Sequence, residues 1–289
     1  MISVKKIDLH MHSTVSDGSD TPEELVARVK EAGIGVFSVT DHDAVKAGAT
    51  IKKMISDGDP EFICGAEFSC EDELGKYHIL AYYDDPGAPS INDLAEKGHK
   101  LRIQKVTMRL DFLNEEFGFV FPKEEIEKLL SLDNPGKPHI GKLMISLGYA
   151  DDLHTAIYDY INKLSAPNPH IRPEEAIDAI LRCGGVPVLA HPFFGDGDQL
   201  IVGSDMKDRL KRLMTFGLRG VEAFYSGFTP KLTKEMLGLA EKYDLFVTAG
   251  SDYHGKNKMV LLGDNGLECA EECPSGLINF LKKFGVAIR

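Results

Sequence analysis

The chain has 289 residues, of which 43% are hydrophobic and 27% are charged, as in ordinary globular proteins. This length allows one large domain, or one domain that carries a substantial insertion. The formal net charge of −12 excludes non-specific binding to duplex nucleic acid, and no apolar run is long enough to cross a bilayer.

The cysteines and the N-terminus indicate a reducing compartment. The five cysteines are an odd number in a long chain, which is not the pattern of a secreted disulfide framework. Cys269 and Cys273 have no second Cys/His pair at zinc-finger spacing, so we expect structural or incidental thiols there. The first residues lack the apolar core of a signal peptide, and we therefore expect a cytoplasmic protein.

Short apolar segments that are rich in β-branched residues, and that end in polar residues, predict buried strands. They are residues 4–10, 36–42, 62–69, 77–83, 186–191, 220–225 and 246–252. Helices are predicted between several of these strands. One begins at Thr21-Pro22-Glu23-Glu24 and ends at Gly33, a second begins at Pro173, and a third covers residues 231–243.

Alternating strands and helices predict an α/β fold with a parallel sheet, either a barrel or a doubly wound sheet. The strand pattern disappears between residues 86 and 172, where helical patterns cover residues 92–117, 123–130, 139–147 and 153–164. We interpret residues 1–85 and 173–289 as one α/β domain. Residues 86–172 are then a mostly helical insertion, or cap, which we expect to pack over one end of the sheet.

Histidines and acids cluster at the ends of the predicted strands. A lone histidine after a strand is more often a capping or solvated residue than a metal ligand. Here, however, several independent strands end in ligand-type side chains, and the C-terminal strand ends of parallel α/β folds form one ligand-binding face. Imidazoles combined with carboxylates suit zinc, manganese or iron. Six histidines and three acids are candidate ligands, which is too many for one tetrahedral ion that takes about four. The pattern therefore predicts a two- or three-metal centre that hydrolyses phosphate esters or amides.

The motifs resemble those of the polymerase-and-histidinol-phosphatase (PHP) family, in the same order along nearly the whole chain. Residues 8–18 (DLHMHSTVSDG) resemble the first motif and residues 40–43 (TDHD) the second. Residues 65–69 (GAEFS), 78–80 (HIL), 190–192 (AHP) and 250–255 (GSDYHG) resemble the later ones.

The resemblance implies a distorted (β/α)7 barrel with a trinuclear centre that hydrolyses phosphoesters. The positions that match metal-ligand motifs are His10, His12, Asp17, His42, Glu67, His78, His191, Asp252 and His254. Two or three divalent ions, Mn, Fe or Zn, are the implied cofactors. A hydroxide shared by the metals would attack the phosphorus, with Asp17 and His191 as candidates for the general acid. Asp8 is expected to support the site without ligating.

The insertion narrows the expected substrate. Residues 134–141 (NPGKPHIG) and 147–149 (LGY) resemble the cap of the stand-alone PHP phosphoesterases. These act on 3′,5′-nucleoside bisphosphates, nucleoside monophosphates or short RNA ends. Arg102, Lys105 and Arg109 can share one helical face, which is either a solvated face or a second phosphate site together with Lys137 and His139. Lys137 stands where arginine is more usual and lacks its bidentate geometry.

The leading hypothesis is removal of the 3′-phosphate of a nucleoside bisphosphate, or cleavage at short RNA 5′ ends. The predicted substrate-binding residues are Asp43, Arg102, Lys137, His139 and Tyr225. The alternatives are a histidinol-phosphate-type or other small-molecule phosphatase, a metal-stabilised non-catalytic binding module, and an amidohydrolase-like enzyme. The last is disfavoured because no bridging lysine is evident on any strand.

Overall fold

The computed structural model describes residues 6–164, 169–195, 199–267 and 273–286. The chain divides into two compact units. The first consists of Met1–Ala95 with Ile171–Arg289, and the second of Glu96–His170. No helix in the described ranges is long and apolar enough to cross a membrane. Cys269 lies outside the described residues, and the other four cysteines are free thiols.

The strands of the first unit belong to two sheets. One sheet contains β1 (Lys6–Asp8), β2 (Ile34–Phe37) and β3 (Glu61–Phe62), all paired in parallel. The other contains β4 (Cys64–Asp72), β5 (Gly75–Tyr83), β6 (Val186–Leu189), β7 (Gly220–Tyr225) and β8 (Phe246–Gly250). The fold is therefore mixed α/β, and a single (β/α)7 barrel stays a prediction.

The expectation of a parallel sheet is wrong for part of the second sheet. Strand β4 pairs antiparallel with β5, and β5 pairs antiparallel with β6, whereas β6, β7 and β8 are parallel. The cause of the first reversal is local, because two residues separate β4 from β5 and only an antiparallel pair can be joined by so short a turn. Gly75, at φ 133°, supplies the backbone conformation of this hairpin.

Backbone hydrogen bonds connect the two sheets beyond the ends of their strands. Leu9, after β1, donates to the carbonyl of Ala249 in β8 at 2.8 Å. On the other side of β1, the amide of Thr40 donates to the carbonyl of Met11 at 2.8 Å. The amide of Glu67 in β4 donates to the carbonyl of Asp41, which follows β2, at 3.1 Å. The segments that follow several strands therefore meet along one edge of the first unit.

Helices cover the outside of the first unit. They are α1 (Pro22–Glu31), α2 (Lys46–Lys52), α6 (Pro173–Arg182), α7 (Gly203–Phe216), α8 (Pro230–Lys242) and α9 (Ser275–Lys283). Helices α1, α6 and α8 were expected, and α1 ends as predicted because Gly33 adopts φ 69° after the C-cap. Helices α2, α7 and α9 were not expected, and each lacks a side-chain hydrogen bond at its N-cap.

Helix α1 shows how the pattern of the sequence places a helix on a sheet. Its apolar residues Leu25, Val26 and Val29 recur at helical spacing and are buried. They belong to the same core cluster as Ile34 and Phe37 of strand β2. Burial of each such side chain contributes roughly 1.5–3 kcal/mol, and this packing fixes β2 beside β1.

The second unit is helical, as the sequence predicted for this stretch. It contains most of α3 (Pro89–Phe117), with α4 (Lys123–Leu130), α5 (Lys137–Ser146), a π-helix (Thr155–Tyr160) and a 3-10 turn (Ile161–Lys163). Its own core includes Val106, Leu110, Leu113, Ile140 and Met144, all of which are buried.

Thr21→Ala should lower the free energy of unfolding by about 1 kcal/mol. The Thr21 hydroxyl accepts from the amide of Glu24 at 3.2 Å, and the Glu24 carboxylate accepts from the amide of Thr21 at 2.8 Å. Urea unfolding, followed by circular dichroism, measures the change. Thr21→Ser keeps the hydroxyl and serves as the control. Equal midpoints for the Ala and Ser variants would contradict the role of the cap.

Candidate metal centre

The nine predicted metal ligands all belong to the first unit, and they lie within strands or in the segments that follow them. His10, His12 and Asp17 follow β1, and His42 follows β2. Glu67 lies in β4 and His78 in β5, while His191 follows β6. Asp252 and His254 follow β8. The connections between the two sheets bring these segments together.

Glu67 lies at the centre of this group and is 1% exposed. One of its carboxylate oxygens, Oε2, is 3.4 Å from His10 Nε2, 3.3 Å from His12 Nε2 and 3.0 Å from His42 Nδ1. The other, Oε1, is 2.8 Å from His78 Nδ1 and 3.1 Å from His191 Nε2. One buried carboxylate therefore contacts five imidazoles from four segments that are distant in sequence.

Three overlapping groups have donor atoms close enough to share an ion, all within 4.8 Å of one another in each group. They are His12 with Asp17, His42 and His254; His10 with His12 and Glu67; and His42 with Glu67 and His78. The donors are imidazole nitrogens and carboxylate oxygens, which suit Zn, Mn or Fe.

Asp252 and His191 complete the predicted set through contacts to these groups. Asp252 Oδ1 lies 3.2 Å from His12 Nε2 and 3.5 Å from His10 Nε2. His191 Nε2 lies 3.2 Å from His78 Nδ1. The rings of His12 and His254 stack with their centroids 4.1 Å apart. The segment after β1 therefore meets the segment after β8 in the cluster.

Several buried donor atoms in the cluster make no hydrogen bond within the described part of the chain. They are His10 Nε2, His12 Nε2 and Glu67 Oε2. Buried polar atoms are normally hydrogen-bonded, and leaving one unsatisfied costs about 1–3 kcal/mol. These atoms nevertheless converge at 3.3–3.4 Å, with their other ring or carboxylate atoms engaged elsewhere. A cation shared by these converging nitrogen and oxygen atoms would satisfy them.

The histidines of the cluster differ in charge because their neighbours differ. Burial opposes a charge on His10, but its carboxylate neighbours, of which Glu222 is the strongest, hold the pKa of His10 well above its usual range. Burial, reinforced by the repulsion of His254, lowers the pKa of His12 to about 3. The raised pKa of His10 favours its protonated form, and the lowered pKa of His12 favours its neutral form, when no cation is bound.

The carboxylates of the cluster are ionised despite their burial. Burial alone would raise their pKa values, but the facing histidines, His78 foremost, hold the pKa of Glu67 well below its usual range. The pKa of Asp252 is likewise held well below its usual range, and His10 is the main cause of that lowering. Ionised carboxylates in a buried site need positive charge nearby, which protonated histidines or bound cations can supply.

Two further carboxylates hold the loops of the site in place. Asp8 accepts hydrogen bonds from the amide and hydroxyl of Ser251 at 2.9 and 2.6 Å, and burial raises the pKa of Asp8 to about 6. Asp41 accepts from the amide and hydroxyl of Ser13, both at 2.7 Å, and from the Ser16 hydroxyl at 2.6 Å. Both acids support ligand-bearing segments, as was expected of Asp8.

Gly18 closes the loop that carries Asp17. A Cβ at this position would lie 2.2 Å from the carbonyl oxygen of His12, so only glycine fits beside the metal-ligand segment. Asp17 is consequently folded back to within 3.3 Å of His254 Nε2. Burial works against ionisation here too, but the neighbouring histidines, led by His42, hold the pKa of Asp17 well below its usual range.

Two charged residues at the site were not identified from the sequence. Glu222 lies within strand β7 and is completely buried, with Oε1 at 2.9 Å from His10 Nδ1. Lys258 donates to Asp252 Oδ2, and its Nζ lies 3.2 Å from Tyr225 Oη. A single acid inside an otherwise apolar strand was the signal for Glu222, whereas nothing in the sequence distinguishes Lys258 from a surface lysine.

The predicted substrate-binding residues lie in both units. In the first, the Tyr225 hydroxyl donates to Asp252 Oδ2 at 2.9 Å, and Asp43 Oδ1 accepts from the amide of Ser69 at 2.9 Å. Burial, and then Asp252, raises the pKa of Tyr225, so this hydroxyl keeps its proton. The role of both residues in substrate binding stays a prediction.

The other three predicted substrate residues belong to the second unit. Arg102 lies in α3, and its guanidinium is close enough to Arg109 to lower the pKa of that residue, which burial also lowers. Lys137 Nζ donates to Asn162 Oδ1 at 2.6 Å, and His139 Nδ1 accepts from the amide of Gly136 at 3.2 Å. Their role as a second phosphate site likewise stays a prediction.

Known proteins are similar to this chain in sequence and in fold. The PHP domain profile matches residues 8–134. A phosphoribosyl 1,2-cyclic phosphate 1,2-diphosphodiesterase from Eggerthella lenta is 31% identical over 260 residues, which cover 86% of this chain and 94% of the relative. The chain belongs to the PHP family. This PHP protein is a metal-dependent phosphoesterase, which is an enzyme that hydrolyses phosphoric esters.

Two more distant PHP relatives cover most of the chain as well. A 5′-3′ exoribonuclease from Haemophilus influenzae is 26% identical over 266 residues, covering 90% of this chain and 94% of that protein. A solved structure from Bifidobacterium adolescentis, named as a metal-dependent phosphoesterase, aligns over 98% of both chains with 24% identity and a TM-score of 0.77. The latter shows that the two proteins have the same fold.

Cation binding should release about one proton at neutral pH, because His10 is protonated in the ion-free protein whereas His12 is not. The pKa of His10 is raised, so protons compete with the cation below that pKa and the affinity must fall as the pH falls. Calorimetric titration of Mn²⁺ in buffers of different ionisation enthalpy counts the protons. His154→Asn, in the second unit, should leave the count unchanged. A count of zero for the unmodified chain would contradict the charge assigned to His10.

Proposed function

We propose that this PHP protein uses two or three divalent ions, Mn, Fe or Zn, to hydrolyse the phosphate ester of a ribonucleotide-sized substrate. The observation that carries the proposal is the buried Glu67 carboxylate, with five imidazoles within 3.4 Å. The proposed ligands are His10, His12, Asp17, His42, Glu67, His78, His191, Asp252 and His254.

The overlap between the three donor groups limits how the ions are shared. An imidazole nitrogen has one lone pair, so His12 and His42 can each serve only one ion through a given nitrogen. A carboxylate has two oxygens and several lone pairs, so Glu67 can serve ions on both sides. We therefore assign Glu67 as the bridging ligand. The nine donors suffice for two ions at four ligands each, and for three if substrate or water completes the shells.

Bound divalent ions supply positive charge that polarises phosphoryl oxygens and lowers the pKa of water. The residues of the chain provide placement and proton handling around that charge. Asp17 is ionised, which suits ligation better than proton donation. This leaves His191 as the candidate for the general acid, a role that would exclude ligation through the same nitrogen.

Tyr225 and Lys258 orient Asp252 through its second carboxylate oxygen. Oδ2 accepts from both residues, which leaves Oδ1 directed at His10 and His12. Lys258 also places a positive charge beside the cluster while its side chain is 35% exposed. An exposed ammonium at this position suits an anionic substrate, and we assign Lys258 together with Tyr225 and Asp43 to the substrate side of the site.

The substrate that we favour is a 3′,5′-nucleoside bisphosphate or a short RNA with a 5′ phosphate. A substrate with two phosphates needs a second anion site besides the metal centre. Arg102 and Arg109 in the second unit repel each other, so an anion between or near them would relieve that repulsion. Together with Lys137 and His139 they are the proposed second phosphate site.

A cyclic phosphodiester of phosphoribose is the second candidate substrate, because the relative from Eggerthella lenta is named for that activity. Histidinol phosphate is the third, on the ground of the same metal-ligand motifs. All three share a phosphate ester on a small polar carrier.

Hydrolysis should be fastest with adenosine 3′,5′-bisphosphate, followed as phosphate release, or with a short 5′-phosphorylated RNA, followed as release of nucleoside monophosphate, when the Mn²⁺-loaded protein is given each substrate separately. The panel also includes phosphoribosyl 1,2-cyclic phosphate and histidinol phosphate. Asp252→Ala removes a proposed ligand and should abolish turnover of every substrate. Turnover of the cyclic diester or histidinol phosphate alone would overturn the assigned substrate, and unchanged turnover by the Asp252 variant would overturn the proposed centre.

Arg102→Ala should raise KM for adenosine 3′,5′-bisphosphate by about 10–100-fold, the loss expected of a charge-assisted hydrogen bond. KM for p-nitrophenyl phosphate, which has one phosphate, should change little. Lys100→Ala is the matched control, since Lys100 lies on the same helix, is 70% exposed and pairs with Glu96. Equal effects of Arg102→Ala on both substrates would contradict the second phosphate site.

A further inference from the structure

Glu222 is a buried carboxylate whose two oxygens contact two different metal-ligand segments. It lies in strand β7, 0% exposed, among apolar neighbours. Its Oε1 is 2.9 Å from His10 Nδ1, and its Oε2 accepts from the backbone amide of His191 at 2.7 Å. A buried charge is costly, and a carboxylate at this position requires both of these partners.

The first contact determines which nitrogen of His10 faces the cluster. Glu222 can only accept, so Nδ1 of His10 must carry the proton between them. His10 Nε2 then points at Glu67 Oε2, 3.4 Å away, and at Asp252 Oδ1, 3.5 Å away. A metal-ligating histidine is commonly oriented through its other nitrogen in this way.

The second contact holds the backbone of His191 in an unusual conformation. His191 has φ 26°, which is left-handed backbone that residues with a side chain rarely adopt. The hydrogen bond from its amide to Glu222 compensates for that conformation and directs the ring toward Glu67 Oε1, 3.1 Å away. The two oxygens of one carboxylate thus fix two proposed ligands that contact different oxygens of Glu67.

The neighbouring strand leaves space for this arrangement. A Cβ at Gly250 of strand β8 would lie 2.4 Å from Glu222 Oε1 and 2.2 Å from the Cβ of His10. The register between β7 and β8 shifts immediately after Glu222. A glycine and a bulge therefore allow the carboxylate to reach His10 beneath the cluster.

We propose that Glu222 is a positioning residue, which sets the ring orientation of His10 and the backbone of His191 so that both side chains reach Glu67. The proposal rests on the metal centre described under the proposed function. Both oxygens of Glu222 are engaged by these two residues, and none of the three donor groups includes it.

Glu222→Gln tests the proposal because it keeps the size of the side chain and changes only its hydrogen bonding. A glutamine offers one acceptor and one donor, so one of its two partners must face an NH₂ group. Mn²⁺ affinity, measured by equilibrium dialysis with elemental analysis, should fall by about 10–100-fold. At saturating Mn²⁺, most of the lost kcat for p-nitrophenyl phosphate should return, which a general loss of structure would not allow.

Asp72→Asn is the matched control. Asp72 is a buried carboxylate that binds Arg212 at 2.7 Å and the Tyr77 hydroxyl at 3.1 Å, and it contacts none of the proposed ligands. Its neutralisation should leave Mn²⁺ affinity unchanged. If Glu222→Gln does not fold, Glu222→Asp keeps the charge but is too short to reach both partners, and its affinity should also fall.

Each outcome separates this inference from the proposed function. Wild-type Mn²⁺ affinity in either Glu222 variant would overturn the positioning role while leaving the metal centre intact. Failure of the wild-type chain to take up Mn²⁺, Zn²⁺ or Fe²⁺ would overturn the metal centre, and the role of Glu222 with it. A loss of affinity in the Glu222 variants but not in Asp72→Asn is the result that we expect.

Discussion

The carboxylate of Glu67 is the constraint on which the first unit depends. It is buried and ionised, and burying an unpaired carboxylate would cost several kcal/mol or more. Five histidines from four segments face it, and their own positions depend on strands β1, β2, β5 and β6. The backbone hydrogen bonds that connect the two sheets are therefore as much a part of the site as the side chains, because they set where these segments meet.

Support for the ligands comes from buried acids that contact them from outside. Asp8 and Asp41 hold the loops that carry the ligands, while Glu222 contacts His10 and His191 directly. Relatives with named activities as different as a cyclic phosphodiesterase and an exoribonuclease match this chain over most of its length, so the shared reaction class does not by itself determine the substrate.

The sequence was sufficient to predict the α/β class, helices α1, α6 and α8, and the residues that cluster around Glu67. Ligand-type side chains at strand ends form a pattern that is visible without coordinates. The antiparallel pairing of β4 and β5 was missed because a two-residue turn between apolar segments was not weighed against strand–helix alternation. Helix α7 was missed because it begins without a capping side chain. Glu222 was missed because its signal, a single acid within the apolar strand β7, was not weighed.

The stacking of His12 on His254 has a consequence for how the protein is made. These two residues are separated by almost the whole chain, and the second unit is inserted between them. A ribosome-bound chain that has not yet exposed residue 254 carries His10, His12 and Glu67 without the partners that complete the cluster. Contacts of such long sequence separation carry a large loop-closure cost. The complete set of donors therefore exists only after residue 254 has been synthesised and has folded against the segment that carries His12.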